Sequence, residues 1–271
     1  MTGIPYKPSE NPTPGPAGSR LGPVHYVEET GSTNADLAAV ADTAGDGTVL
    51  VTGHQTAGRG RLDRRWEAPP NANLLMSVLL RPTGGSDRLS LVTSTLAVAV
   101  VDVLVDLIGG QVPSARIKWP NDILLFDGDQ LGKVAGILAE LVDGDPPAVV
   151  VGLGLNVEWP GPDDEGPPDA TSLVAAGFET EPGSLLDPVL ASFGRWLGVL
   201  EAPGGVEAIR LEHLARSATI GQRVRVESPT GMVEGHALDL APDGALVVEV
   251  DGTRREFRSG DIVHLRSLDR D

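Results

Sequence analysis

Short β-branched runs alternate with two Ala/Leu/Val-rich stretches of helical texture, and this alternation predicts most of the elements. A strand begins near Val24, and residues 33–44 predict a helix opened by Thr33 with Asp36 three positions on. Residues 47–53 and 74–80 read as strands, the second stopped by Arg81-Pro82. Residues 87–108 read as one long buried helix ended by Gly109-Gly110, and Asp102 and Asp106 interrupt it too often for a membrane span. Strands are expected at 115–119, 123–126, 134–142 and 148–157, with turns at Pro120-Asn121-Asp122, Asp127-Gly128-Asp129 and Asp143-Gly144-Asp145. An acidic, Pro/Gly-rich loop over 160–169 precedes two helices, 183–201 and 204–216.

From Ile220 the texture changes. Five short alternating segments (222–227, 232–240, 245–250, 253–258, 261–265) predict a small SH3-like β-barrel. The expected fold class is α+β: a mixed β-sheet with helices packed on it over 24–218, then the barrel over 219–271. Residues 1–23 are rich in Pro, Gly and Ser without an apolar run, so they read as a disordered tail and not as a signal peptide.

Composition narrows the function classes. With 21 Lys/Arg against 38 Asp/Glu, the net charge of -17 opposes non-specific binding to nucleic acid and to anionic membranes. The absence of cysteine removes disulfides and thiolate chemistry and suits a cytoplasmic protein. Against this acidic background, Arg59, Arg61, Arg64 and Arg65 crowd one stretch in which Gly58 and Gly60 let the backbone approach a ligand. Arginine offers a planar fork for carboxylate or phosphate, so the stretch reads either as a clamp for a small anion or as a solvated loop.

Three further strings carry candidate chemistry. Lys118-Trp119-Pro120-Asn121-Asp122 places an amide and a carboxylate at a sheet rim, to bind a ribose, a metal or an amine, or merely to build a turn. Gly132-Lys133-Val134-Ala135-Gly136 lacks phosphate-loop spacing, which leaves Lys133 as a single ammonium for an anion or as a surface lysine. Gly152-Leu153-Gly154-Leu155-Asn156 lacks the third glycine and following helix of a dinucleotide fingerprint; its glycines mark close backbone approach, with Asn156 a candidate ligand to a sugar or base. The five histidines are scattered, no G-x-S-x-G elbow occurs, and no conventional protein nucleophile is offered. The nucleophile of any reaction must therefore belong to a substrate.

Taken in order, Gly31-Ser32-Thr33-Asn34, Gln55–Arg61 with Arg64 and Trp66, Lys118–Asp122, Lys133–Glu140 and Gly152–Asn156 closely resemble biotin–protein ligases, from about Val24 to the C-terminus. Departures are small: two extra residues precede Lys133, and Val134 stands where the family often has Leu. The resemblance implies a catalytic domain like that of class II synthetases, in a short form without an N-terminal DNA-binding domain. It also implies two steps: biotin and ATP give biotinyl-5′-AMP and pyrophosphate, then a lysine of a biotin carboxyl carrier domain of acyl-CoA carboxylases takes the biotinyl group.

By the same resemblance, Ser32, Thr33, Asn34, Gln55, Arg59, Gly60, Arg61, Lys133 and Gly136 hold biotin. Arg61, Arg64, Trp66, Asn121, Asp122, Lys133 and Asn156 line the nucleotide side, and Lys133, Arg59, Arg61 and Asp122 are the catalytic set. Mg²⁺ is implied with ATP, without protein side-chain ligands, and residues of about 58–66 are expected to be disordered without ligand and to close over the adenylate. A monomer or weak homodimer is expected. A lipoate ligase or octanoyltransferase is the nearest rival, disfavoured by the Gly-Arg-Gly-Arg-x-x-Arg-x-Trp string; a biotin-responsive repressor is disfavoured by the charge and the short leading segment.

Overall fold

The computed structural model describes residues 12–265 apart from 63, 84–85, 110–113, 128 and 229–230. Strands β1 (Val24–Thr30), β2 (Val49–Gln55), β3 (Asn73–Leu80), β4 (Ser114–Lys118), β5 (Asp122–Asp127), β6 (Asp129–Val142) and β7 (Ala148–Asn156) form one sheet in the order β1-β2-β3-β7-β6-β5-β4. β1 and β2 are parallel and the other neighbours antiparallel, so the sheet is mixed as expected. β8 (Arg223–Ser228), β9 (Gly231–Leu240), β10 (Leu246–Val250), β11 (Thr253–Phe257) and β12 (Asp261–His264) form a second, antiparallel sheet ordered β11-β10-β9-β8-β12, the small SH3-like unit.

Helix α1 (Thr33–Ala39) packs on one face of the large sheet, while α3 (Val92–Ile108) and α4 (Pro182–Glu201) cover the other and α5 (Gly205–Ala215) packs on those two helices. Strand alternation explains the division. On β7, Val149, Val151, Leu153 and Leu155 enter the main core beneath α3 and α4. Val150 joins a smaller cluster with Leu37 and Ala41 under α1, and Gly152 and Gly154 leave the rest of that face bare.

Three expectations need correction. The long helix is broken: α2 (Ser86–Ser90) ends before Leu91, which is 1% exposed, has φ -92 and ψ -2, and tightens the turn by donating its N–H to Arg88 O. α1 stops at Ala39 because Val40 leaves helical geometry at φ -110 and ψ 11, and Thr33 is its first residue, not its cap. The described part of the leading segment is packed: Thr13 exchanges two backbone bonds with Val24, Leu21 is 2% exposed in the main core, and Arg20 pairs with Asp46 and Glu201. One apolar side chain and one arginine suffice to fix a segment whose composition reads as disordered. Residues 1–11, also read as tail, lie outside the described residues.

Trp119 joins the two sheets. It follows β4 of the large sheet, yet its indole lies in the core of the small one with Val224, Val226, Leu246 and Val248. Its Nε1 donates to Gly244 O at 2.9 Å and its backbone N–H to Thr219 Oγ1 at 3.1 Å. Trp119→Ala is expected to destabilise the protein by about 3–5 kcal/mol, as for other buried aromatic truncations. Hydrogen exchange should show the protection loss concentrated in β8–β10; a loss confined to β4 and β5 would contradict this anchoring role.

His213 on α5 is fully enclosed, with Nδ1 3.0 Å from Ser94 Oγ, and burial pushes its pKa down to about 4. Its folded pKa lies below the ordinary value of 6.5, so the unfolded chain binds the extra proton and stability is lost as pH falls from about 6.5 towards 4. Urea unfolding at pH 7 and pH 5 should differ by about 2 kcal/mol from this residue. His213→Leu should remove this residue's share of the slope, whatever it does to absolute stability, and leave that of His264, whose pKa burial also lowers to about 4.

Candidate active site

The floor of the site is a strip of sheet without side chains. Gly136 on β6 faces Gly154 on β7, and Gly152 faces Leu138 beside them. A Cβ on Gly154 would meet the Trp66 indole at 2.3 Å, and one on Gly136 would meet it at 2.7 Å. A Cβ on Gly152 would meet Asn34 Oδ1 at 2.2 Å. Glycine stands here for close approach, not for backbone conformation, since none of the three has a positive φ. The sequence marks the approach at 152 and 154, and the structure supplies its partners.

At one end of the strip α1 and β2 build a polar pocket. Gln55 Oε1 accepts from the Thr33 backbone N–H at 2.8 Å and from Thr33 Oγ1 at 3.2 Å. Ser77 Oγ lies 2.6 Å from both Thr33 Oγ1 and Asn34 Oδ1. Asn34 Nδ2 donates to Leu138 O at 3.0 Å and to Glu140 Oε2 at 2.8 Å, and Arg59 Nη2 donates to that same carboxylate oxygen at 2.7 Å. Ser32, Thr33 and Asn34 are buried, so this network holds the start of α1 rigidly against the sheet.

The arginine stretch is a small hairpin and not an open coil. Arg59 and Arg65 form an antiparallel bridge, Gly60 N–H donates to Arg64 O at 2.7 Å, and Trp66 N–H donates to Gly58 O at 3.0 Å. The hairpin reaches across to the second sheet: Arg61 Nη1 donates to Asn121 Oδ1 and to Gly260 O, both at 3.2 Å, and Arg64 pairs with Asp261. Burial lowers the pKa of Arg61, partly offset by Asp122. Lys133 Nζ lies 2.6 Å from Asp122 Oδ1 and 5.4 Å from the centre of the Trp66 ring, a cation–π arrangement.

Nearly all the residues singled out by sequence meet in one cavity of about 320 Å³, lined from α1, β2, the hairpin, the 118–122 turn, β6, β7 and the second sheet. Asn156 lies outside it, in an adjoining cavity of similar volume that shares Arg64, Trp66, Lys118, Asp122 and Lys133 as walls. The residue is 5% exposed and its amide is engaged by protein groups: Nδ2 donates to Thr171 O at 3.0 Å and Oδ1 accepts from Asn73 Nδ2 at 3.1 Å. Among the described residues no group of three or more His, Asp or Glu comes together to hold a metal.

Five polar residues of this region were not among those singled out, one of them Ser77, which bonds Thr33 and Asn34. Glu140 carried a readable signal, since period-two alternation from Gly136 puts it on the site face. Lys118 sat inside a recognised string without an assigned role. Glu227 and Asp261 come from the second sheet, some hundred residues beyond the other walls, and no local pattern announces them.

Residues 26–156 match the biotin/lipoate A/B protein ligase family, and residues 219–265 match the biotin protein ligase C terminal domain. A Mycobacterium tuberculosis protein named biotin--[acetyl-CoA-carboxylase] ligase is 39% identical over 262 residues, covering 92% of each chain. One of the same name from Paracoccus denitrificans is 33% identical, covering 87% of this chain and 98% of its own. Among solved structures, the Aquifex aeolicus biotin protein ligase in complex with biotin and ATP superposes with a TM-score of 0.73 at 26% identity, covering 90% of this chain and 99% of that one. With relatives of this identity matched over nearly their whole length, the chain belongs to the biotin/lipoate A/B protein ligase family and carries the C-terminal domain of its biotin protein ligases.

Proposed function

We propose that the chain activates biotin with ATP to biotinyl-5′-AMP and pyrophosphate, then passes the biotinyl group to a lysine of a biotin carboxyl carrier domain of an acyl-CoA carboxylase. The observation that carries this reading is one cavity in which a chain of net charge -17 gathers Arg59, Arg61, Arg64 and Lys133 beside a neutral hydrogen-bonding pocket. Bringing a carboxylate to a triphosphate joins like charges, and fixed cations lower that barrier.

In this reading Ser32, Thr33, Asn34 and Gln55 receive the biotin head group, with Gly136 supplying bare floor and Gly60 close backbone. Arg59, Arg61 and Lys133 draw the carboxylate toward the α-phosphate. Its oxygen forms the bond to phosphorus, and the bond to the β-phosphate breaks with its electron pair leaving on pyrophosphate. Arg64, Trp66, Asn121 and Asn156 frame the nucleotide. In the second step the acceptor amine attacks the acyl carbon and AMP leaves, with Asp122 placed to orient that amine. Mg²⁺ brought with ATP would supply charge neutralisation of the phosphates, with no group of three or more His, Asp or Glu among the described residues to hold it.

Residues 24–218 are assigned the chemistry and 219–271 the wall that closes it. No helix among the described residues is long and apolar enough to cross a membrane. The reading adds a cytoplasmic location, in keeping with the absence of cysteine, a monomeric or weakly dimeric state, and no nucleic-acid partner.

Biotin-dependent ATP–pyrophosphate exchange, followed by transfer to a carrier domain, tests the reading directly, and exchange supported by lipoate instead of biotin would point to the rival activity. Lys133→Ala is expected to slow exchange by about 10²–10³ while leaving the circular dichroism spectrum intact; near-wild-type exchange would remove Lys133 from the catalytic set. Biotin plus ATP should also slow proteolysis within residues 58–66, because a hairpin closed over an adenylate presents less free backbone. Equal cleavage rates with and without the substrates would count against closure.

A further inference from the structure

The cations around the two cavities are not equivalent. Arg59 is engaged by Glu140, Arg64 by Asp261 and Lys133 by Asp122, while Arg61 donates from Nη1 to Asn121 and Gly260. Lys118 is different: among the described residues its side chain forms no ion pair and no hydrogen bond. It closes β4 directly opposite Asp122, the first residue of β5, so the two side chains leave the sheet on the same face. It lines both cavities, on the wall that they share with Arg64, Asp122 and Lys133.

Burial depresses the pKa of Lys118, Asp122 and Asp169 pull it back up, and Lys133 and Arg64 press it further down. A half-buried ammonium beside other cations, with no carboxylate paired to it among the described residues, is unfavourable until an anion meets it. An anionic ligand arriving between the cavities reverses that cost. Arg64 and Lys133 must exchange a carboxylate for such a ligand, whereas Lys118 has nothing to release.

The geometry points to Lys118 as a phosphate-binding residue of the first half-reaction, donating to the β- and γ-phosphates of ATP and to the pyrophosphate that leaves. The assignment rests on the function proposed above. When the carboxylate oxygen bonds to the α-phosphorus and the bond to the β-phosphate breaks, negative charge builds on the departing pyrophosphate. Lys118 meets that charge by hydrogen bonding, and no proton or further reactant is required. In the second half-reaction pyrophosphate is gone, so Lys118 has no charge left to answer.

This asymmetry supplies the test. For Lys118→Met in the full-length protein, biotin-dependent exchange should fall about 10²-fold, with KM for ATP and for pyrophosphate both raised. Transfer to a carrier domain from supplied biotinyl-5′-AMP should fall far less, and Lys118→Arg should recover most of the exchange. Exchange and transfer falling together, or exchange lost with both KM values unchanged, would overturn the assignment in favour of a structural lysine. If the wild-type protein shows no biotin-dependent exchange, the functional reading itself fails and the assignment with it. Wild-type exchange matched by Lys118→Met removes Lys118 alone.

Discussion

The site depends on a surface from which side chains are missing. Gly136, Gly152 and Gly154 keep one patch of a seven-stranded sheet bare, in strands whose opposite face carries Ile137, Leu153 and Leu155 into the core. Two chains of contact begin there. Trp66 lies on Gly136 and Gly154, ends the arginine hairpin, and places its ring beneath the Lys133 ammonium. Asn34 fits over Gly152 and reaches Glu140, which in turn fixes Arg59. A single methyl at either place would displace an aromatic ring or an amide that other residues use as a reference.

Charge is then laid over this floor in compensated form. Arg59, Arg64 and Lys133 each meet a carboxylate, and these pairs sit at the cavity surface, where solvent screens them. Such pairs contribute little to stability. Their effect is to fix where the cations point. Positive charge is thus held in place at the cavity by carboxylates that an anionic ligand must replace.

What was legible in the sequence follows from what is local. Strand positions read well because alternation and turn residues are properties of neighbours in the chain, and the two-sheet organisation followed from the change of texture at Ile220. The strings around Ser32, Arg59, Asn121, Lys133 and Gly154 were legible because each is built within one turn or strand. The break at Leu91 was not, since neither proline nor glycine marks it and only burial of the leucine bends the helix. Nor was the packing of residues 12–23, which rests on Leu21 and Arg20 finding partners far along the chain. Asp261 and Glu227 escaped for the same reason: a wall contributed by another sheet exists only after folding. Asn156 was recognised as special, but its partners, the Thr171 carbonyl and the Asn73 side-chain amide, lie outside its own string.

The placement of Trp119 bears on how this molecule can change over generations. Its backbone belongs to the turn that carries Asn121 and Asp122, whereas its indole fills the interior of the small sheet. The small sheet's core and the cavity wall at 118–122 therefore share one side chain, and alterations in the two places should combine non-additively. A volume change at Val226 or Leu246 would be transmitted through the indole to the carboxylate that holds Lys133. The terminal sheet is consequently bound to its own host: exchanging it for the equivalent piece of a distant relative would require the tryptophan's surroundings to travel with it.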